Sequence, residues 1–221
     1  MYFTDRKDAG QKLARALNAY KDKPDTIILA LPRGGVPVAY EAAIHLHIPL
    51  DLMLVRKLGV PENEELAMGA IAMGVVIVLN EEIIRSFHIS PKNLEQVIKS
   101  ERTELARRNN AYRNGQAEPD VKGKTVILID DGIATGANMR AAVQAMRRQE
   151  AAEIVVATPV SSREAFEALN ILADNVILLD IPEPFYGVGR FYQDFSQTSD
   201  EEVKTLLKQI KGKNIDEHQG A

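Results

Sequence analysis

Two adjacent carboxylates and a glycine-containing loop follow the most regular apolar run of the sequence. The run Thr125–Ile129 is β-branched and apolar throughout, which predicts a buried strand, and Asp130 and Asp131 come directly after it. The loop Gly132–Ala137 then leads into a helical pattern. Because ligands of open α/β sheets bind at the carboxyl ends of strands, this loop is a candidate binding site.

The chemistry of this segment matches a ribose 5-phosphate. Backbone NH groups of Thr135, Gly136, Ala137 and Asn138 can converge on one anion, helped by the dipole of the following helix, which begins near Asn138. Gly136 has no Cβ and lets the backbone approach a phosphate closely. Thr135 and Asn138 can add side-chain donors. Two carboxylates would repel a bare anion, but they are good acceptors for the paired hydroxyls of a ribose.

Other phosphate-binding patterns do not fit. A dinucleotide-binding G-x-G-x-x-G run after the first strand is absent, and so is the G-x-x-x-x-G-K-[ST] loop of nucleotide triphosphatases. An acidic pair at a strand end is also compatible with the Mg²⁺ pocket of a phosphatase or receiver domain. The adjacent Thr135–Asn138 loop argues against that alternative.

The segment Val126–Asn138 resembles the phosphoribosyl-diphosphate (PRPP) binding motif of type I phosphoribosyltransferases: an apolar strand, two acids, two linkers and a Thr-Gly loop. The resemblance implies that Asp130 and Asp131 hold the ribose 2′- and 3′-hydroxyls and belong to the catalytic centre. The 5′-phosphate would then be bound by Ala134, Thr135, Gly136, Ala137 and Asn138. Gly132 departs from the pattern, because the family usually has an aliphatic residue there, and Asn138 replaces the usual Ser or Thr.

Two further segments supply cations and close-approach positions for a pyrophosphate. The first, Arg33, Gly34 and Gly35, follows an apolar strand and resembles the pyrophosphate-binding loop of the family, which often contains a non-proline cis peptide. The second, Arg56 and Lys57, is similar to the Arg-Lys pair that precedes the mobile catalytic loop in several branches. The resemblance implies pyrophosphate contacts for both segments and a catalytic role for Lys57. For Lys57 alone, a solvated cation at a strand end is an equally open interpretation.

A mobile lid and a magnesium ion complete the expected site. Residues 59–65 are polar and rich in turn formers, as in a lid that excludes water from an oxocarbenium-like transition state. Mg²⁺ is expected as the cofactor, held mainly by substrate oxygens and water, with no dedicated protein cage. The four histidines show no spacing that suggests metal ligation.

The segment Pro184–Tyr192 is rich in aromatic residues. In the family, the region after the last core strand forms a hood over the nucleobase, which implies that Phe185 and Tyr186 stack on a planar acceptor. Packing of these rings between the C-terminal helix and the core is an equally open alternative.

Alternating strand and helix patterns predict a doubly wound, mostly parallel α/β sheet that positions these residues. The predicted strands are 26–31, 50–55, 125–129, 153–157 and 175–179. We expect a single domain, 1–211, with a helical insertion at 80–114, a hood at 181–198 and a disordered tail at 212–221. A hairpin is predicted at 69–77, broken at Gly74. The insertion is expected to cap the site or to mediate a homodimer.

Composition excludes several classes of function. The 221 residues, 45% of them hydrophobic, suffice for one large α/β domain, and the formal net charge of −4 argues against charge-driven nucleic-acid binding. There is no cysteine, so disulfides and thiolate metal sites are excluded. No signal-like N-terminus or membrane-length apolar run is present, which predicts a soluble, cytoplasmic protein that acts on small molecules.

Three functions remain open at this point. The leading one is transfer of phosphoribosyl from PRPP to a nitrogenous acceptor, such as a nucleobase, with release of pyrophosphate. The alternative is a non-catalytic sensor of PRPP or nucleotides, for which the Arg107, Arg108 and Arg113 cluster is the candidate partner surface. A phosphatase or hydrolase acting on a phosphorylated sugar ranks third. The sequence does not identify the acceptor.

Overall fold

The computed structural model describes residues 1–61, 63–72, 76–113 and 116–218, the side chains of 64, 65 and 211–218 excepted. Within these ranges the chain forms eight strands and seven α-helices. The strands are β1 Thr26–Ala30, β2 Leu50–Leu52, β3 Val55–Val60, β4 Asn63–Ala72, β5 Val76–Leu79, β6 Thr125–Ile129, β7 Glu153–Val160 and β8 Asn175–Asp180. The helices are α1 Arg6–Ala16, α2 Gly35–Leu46, α3 Glu81–Ser86, α4 Pro91–Arg113, α5 Ala137–Arg148, α6 Arg163–Leu172 and α7 Asp200–His218.

The central sheet has five parallel strands in the order β2-β1-β6-β7-β8. Along the chain the sheet grows outward from β1 to β2 and then, in the opposite direction, from β6 to β8. The strand order therefore reverses between β1 and β6, where Ala30 lies beside Ile129. In doubly wound sheets a crevice opens at such a reversal, on the carboxyl side of the strands. The loops after β1 and β6 meet in that crevice.

Helices cover both faces of the sheet, as the alternation of strand and helix predicted. Successive residues of β6 point to opposite faces, so that Ile127 and Ile129 pack with α1, α2 and α7. Val126 and Leu128 pack with α5 and α6 on the other face. All four of these β6 side chains have no exposed surface, which fixes the level at which the loop after Ile129 emerges.

A second, three-stranded antiparallel sheet, β3-β4-β5, changes the prediction for residues 50–55. The single strand predicted at 50–55 is two strands in different sheets, because β2 ends at Leu52 and β3 begins at Val55. The predicted lid, 59–65, takes in the end of β3, a turn at Pro61 and the start of β4, and its mobility stays a prediction. The hairpin between β4 and β5 is present, with Gly69 beside Leu79, while Gly74 lies outside the described residues.

The helical insertion consists of α3 and α4, and α4 is fixed to the central sheet. Arg113, at its end, is only 3% exposed, and its guanidinium donates to the carbonyl oxygen of Leu52 at 2.8 Å and to Asp51 Oδ1 at 3.1 Å. The prediction that Arg113 belongs to an exposed basic partner surface is therefore wrong. Leu105 and Tyr112 of the same helix are buried in the core that α2 covers.

The N-terminus and the segment after β8 are held together. The backbone NH of Phe3 donates to Phe191 O at 2.8 Å, and that of Gln193 donates to Phe3 O at 2.9 Å. The last helix, α7, packs on α2 and continues past the predicted end at Lys211 to His218, so part of the tail predicted to be disordered is helical. Among the residues described, no helix combines the length and apolar character needed to cross a membrane.

Candidate functional site

A cavity of about 680 Å³ lies at the reversal of strand order. Asp130 and the loop Gly132–Asn138 form one wall, and Arg56 and Lys57 of β3 form another. The cavity therefore brings together one predicted acid, the whole predicted phosphate loop and the predicted Arg-Lys pair. A third wall comes from one face of α4, in the insertion for which capping of the site was one of the two predicted roles: Val97, Ser100, Glu101 and Arg108.

The phosphate loop has a backbone suited to an anion. Gly136 has a φ of 72°, in the left-handed region that glycine adopts without steric cost, and α5 begins at the next residue. The first turn of a helix leaves backbone NH groups without intrahelical acceptors, and these residues line the cavity. The helix thus begins at Ala137, one residue before the predicted start.

Two side chains outside the predicted set hold the peptide planes of this loop. Ser162 Oγ donates to Ala134 O at 2.6 Å, and Arg140 donates to Thr135 O at 2.7 Å. In a trans peptide the carbonyl and the following NH point in opposite directions. The NH groups of Thr135 and Gly136 are therefore turned away from these two side chains and left for a ligand. Ser162 also caps α6, accepting from Ala165 N at 3.1 Å.

The two acids occupy different environments. Asp130 lines the cavity, and burial raises its pKa, with the neighbouring charge of Asp131 adding to the effect. Asp131 lies behind it and accepts a hydrogen bond from Arg6 Nε at 2.7 Å, with the Arg6 and Asp131 side chains only 12% and 13% exposed. Burial raises the pKa of Asp131 too, although the ion pair with Arg6 opposes the rise.

Arg6 also connects Asp131 to the hood. It donates to Ser196 O at 2.6 Å, and its guanidinium carbon lies 4.0 Å from the centre of the Phe195 ring. Tyr192 donates its hydroxyl proton to Asp131 O at 2.6 Å, and burial raises the pKa of that hydroxyl. No local signal in the sequence marks Arg6, which resembles any charged residue at the start of an amphipathic helix.

The hood explains one departure from the family motif. A Cβ on Gly132 would overlap Cγ1 of Val188, so only glycine lets the hood approach the acidic pair this closely. Phe185 stacks on Phe191 with ring centres 5.7 Å apart, and Tyr186 is 80% exposed. Neither of these two predicted acceptor contacts lines the cavity. Their contact with an acceptor remains a prediction.

The loop after β1 packs tightly against the acids. The Pro32–Arg33 peptide bond is cis, as in the family loop that this segment resembles. A Cβ on Gly34 would overlap the Asp131 carboxylate, and one on Gly35 would lie 2.7 Å from the carbonyl oxygen of Ile129. The glycine pair therefore permits the contact between the two loops.

The predicted cations lie on different sides of this loop. Arg56 donates from Nε to Glu101 Oε2 of α4 at 2.6 Å, at the edge of the cavity, and Lys57 lines the same cavity. Arg33 turns instead toward α7, where a guanidinium nitrogen lies 3.8 Å from Asp200 Oδ1. Pro32, not Arg33, lines the main cavity.

Comparison with known proteins places this geometry in a family. The model of the phosphoribosyl transferase domain matches residues 4–196. Two curated Mycobacterium tuberculosis proteins, one from each of two strains, have names that suggest phosphoribosyl transferases; each is 42% identical over 205 residues, covering 93% of this chain. The chain spans 46% of the length of these relatives.

Solved structures agree on the fold. The crystal structure of TT1426 from Thermus thermophilus superposes with a TM-score of 0.84 and 40% identity, over 95% of this chain and 99% of that one. The AQ2163 protein of Aquifex aeolicus shares the fold at 12% identity, with a TM-score of 0.52 over 91% of this chain and 83% of its own. Together with the matched domain, these similarities show that the chain belongs to the type I phosphoribosyltransferase family.

Proposed function

We propose that the chain transfers phosphoribosyl from PRPP to a nitrogenous acceptor, such as a nucleobase, and releases pyrophosphate. The observation that carries the proposal is the cavity that joins Asp130 to the loop 134–138 at the reversal of strand order. Membership of the phosphoribosyltransferase family supports the same activity. On the basis of the sequence, we further propose that the reaction belongs to cytoplasmic nucleotide metabolism and that the protein is a homodimer.

The donor would bind through groups that the cavity already presents. The NH groups of 135–138 and the side chains of Thr135 and Asn138 receive the 5′-phosphate, helped by the dipole of α5. Asp130 and Asp131 accept the ribose 2′- and 3′-hydroxyls. This role needs ionised carboxylates, and the guanidinium of Arg6 favours that state for Asp131 within a largely buried pair.

The pyrophosphate leaves with its developing charge neutralised. Arg33, Gly34 and Gly35 on one side, and Arg56 and Lys57 on the other, are the groups assigned to it. Mg²⁺ would be held mainly by substrate oxygens and water and would supply charge neutralisation. The face of α4 and β3 line the cavity, and with substrate bound they would limit the access of water, which would otherwise capture an oxocarbenium-like centre.

A non-catalytic sensor of PRPP or nucleotides is the second candidate. It is favoured by one observation: Phe185 and Tyr186, the predicted acceptor contacts, do not line the cavity. Phe185 instead packs within the cluster that includes Phe3 and Phe191.

The same assay separates the two candidates. Pyrophosphate release is measured with PRPP, Mg²⁺ and a panel of purine, pyrimidine and pyridine acceptors. Under the proposal at least one acceptor supports turnover, and Thr135→Val lowers the rate by weakening the phosphate loop. PRPP binding without turnover across the panel would instead favour the sensor, and release of phosphate in place of pyrophosphate would indicate a hydrolase.

A further inference from the structure

A second pocket, of about 480 Å³, lies between the antiparallel sheet and α5. We call it the hairpin pocket, because the hairpin of β4 and β5 forms one of its walls. Its apolar lining consists mostly of small side chains: Ala67, Gly69, Ala70, Val78, Leu79, Ala137 and Ala141. Pockets that bind small molecules have volumes of about 300–1,000 Å³ and mostly apolar walls. The hairpin pocket has the size and the apolar walls of such a site.

Contacts outside the hairpin pocket hold its walls in place. Ala72 of β4 belongs to the same hydrophobic cluster as Met139 and Val143 of α5. The guanidinium of Arg148, at the end of α5, donates to the carbonyl oxygen of Ile77 in β5. The helix and the sheet are therefore joined at two places outside the pocket, and within it the alanine and glycine residues leave the space unfilled.

Two cationic side chains lie where the hairpin pocket meets the phosphate loop. Lys57 lines both the hairpin pocket and the main cavity. Arg140 lines the hairpin pocket, and its guanidinium donates to Thr135 O at 2.7 Å. Glu81 is the one carboxylate among the described residues of the lining. Two cations and one carboxylate leave a single net positive charge, which is complementary to a monoanion.

The other polar side chains of the lining are carboxamides, those of Asn80, Asn138 and Gln144. Gln144 follows Arg140 by four residues, which places the two on the same face of α5. Guanidinium groups bind carboxylates through two parallel hydrogen bonds, and carboxamides add neutral donors. A phosphate monoester carries about −1.5 to −2 at pH 7 and would exceed the single positive charge. The lining therefore fits an organic carboxylate better than a phosphate.

We propose that the hairpin pocket binds an aromatic carboxylate, with its ring on the alanine-rich wall and its carboxylate at Arg140, and that this ligand weakens binding at the phosphate loop. The coupling follows from Arg140, because a carboxylate that pairs with its guanidinium competes with Thr135 O for the same group. Ala137 lines both cavities, so the added charge also lies close to the 5′-phosphate and repels it. The coupling rests on the proposed function, whereas the binding of the carboxylate does not.

The probe is naphthalene-2-carboxylate, followed by its fluorescence, with naphthalene-2-carboxamide as the uncharged counterpart. The carboxylate has no nitrogen, so it cannot serve as the acceptor of the proposed reaction. The parent should bind the carboxylate at one site and the carboxamide at least about fivefold more weakly, because charge-assisted hydrogen bonds to Arg140 are lost. Equal binding of the two probes, or no binding of the carboxylate, would overturn the proposal.

Variants of two residues that line the hairpin pocket but not the main cavity locate the binding site. Ala67→Leu fills part of the volume and should weaken binding of the carboxylate by at least about tenfold. Gln144→Glu adds a negative charge one turn from Arg140 and should weaken binding by about three- to tenfold, while Gln144→Lys should strengthen it. Gln209→Glu adds the same charge at an exposed position of α7 and is the matched control. Unchanged binding in Ala67→Leu, or changes of the same sign in the two Gln144 variants, would exclude this pocket.

Titrations with ribose 5-phosphate measure the coupling. Its dissociation constant should rise by at least about threefold as the carboxylate is added and then level off, and ribose 5-phosphate should weaken the carboxylate by the same factor. A rise without limit would indicate competition for one site and would overturn the proposal, and an unchanged constant would refute the coupling. Failure of the parent to bind ribose 5-phosphate would count against the proposed function, while carboxylate binding that responds to Ala67→Leu would still support the hairpin pocket.

Discussion

Replacing Arg6 with methionine removes the cation that faces Asp131 while keeping most of the side chain. The two side chains are 12% and 13% exposed and 2.7 Å apart, so their ion pair is largely shielded from water. Removing one partner of a buried pair costs roughly 3–5 kcal/mol when the other charge stays uncompensated. In this site the acids can lower that cost by taking up a proton.

Protonation of the acids has a functional consequence. Burial raises the pKa of Asp131, and Arg6 is the first group that opposes the rise. Without Arg6 the carboxyl holds its proton to higher pH and accepts a ribose hydroxyl less well. We therefore expect the affinity for ribose 5-phosphate at pH 7 to fall by about 10- to 100-fold, equivalent to about 1.4–2.7 kcal/mol.

The assay is the dissociation constant of ribose 5-phosphate between pH 5.5 and 9, measured for the parent and Arg6→Met. The ratio of the two constants cancels the titration of the ligand's own phosphate, whose second pKa is about 6. We expect the dissociation constant of Arg6→Met divided by that of the parent to increase as the pH falls. The same ratio should decrease toward high pH, where Asp131 is ionised in both proteins. Arg6→Lys should be intermediate, because an ammonium keeps the charge but cannot reproduce the fork to Asp131 and Ser196.

Arg15→Met is the matched control, since Arg15 is an exposed arginine of the same helix. A ratio for Arg6→Met that is constant across the pH range would show that Arg6 acts only by packing against the hood. A ratio near one at every pH would refute the reasoning altogether.

Three further changes test the surroundings of the site. Asp130→Asn should raise the free energy of unfolding at pH 7 by about 1 kcal/mol or more, because a buried carboxyl with a raised pKa is most stabilising when protonated. Stability from that carboxyl is fully present below its unfolded pKa and lost as the pH rises, so denaturant titrations should show the difference narrowing toward pH 4. Gly132→Ala should cost about 1–3 kcal/mol of stability in the same titrations, because its Cβ would overlap Val188. Ser162→Ala should lower thermal stability by the equivalent of about 1 kcal/mol, because the α6 cap is lost. The same variant should also weaken ribose 5-phosphate binding, because Ser162 no longer holds the carbonyl of Ala134. Lower stability with unchanged affinity would refute the role of Ser162 in the phosphate loop.

The sequence predicted the parts of the site whose signal is local. The apolar strand, the acidic pair and the Thr135 loop are contiguous, so their spacing alone determines that they meet at the end of β6. The same holds for the parallel sheet, since each strand and each following helix carries its own pattern of burial.

Contacts between distant segments were not predictable in this way. Arg6 and Asp131 are 125 residues apart, and the sequence around each of them gives no indication that they pair. Arg113 looked like part of a basic surface because its partner, Asp51, lies in another element. The pairing of β3 with β4 around the predicted lid was not predictable either, because the two strands are polar near the turn and, within the described residues, pair only with each other there.

The sequence predicted that the helical insertion could cap the site, but it did not identify which residues of α4 line the cavity. Ser100, Glu101 and Arg108 are polar residues on a helix whose sequence pattern is typical of a solvated surface. Their position is determined by the anchoring of Arg113 and by the burial of Leu105 and Tyr112 against the core. Those contacts exist only once the central sheet has formed.

The most direct measurement of the central claim is calorimetric binding of PRPP with Mg²⁺ to the parent and to the double variant Asp130→Asn with Asp131→Asn. Both substitutions keep the size of the side chain and remove its charge, and the amide oxygen introduced by the second can still accept from Arg6. We predict that the parent binds and that the folded double variant binds at least about 100-fold more weakly, because two hydrogen bonds from ribose hydroxyls to ionised acceptors are lost. Equal binding by the two proteins would contradict the assignment of the acids to the ribose and, with it, the account of this site.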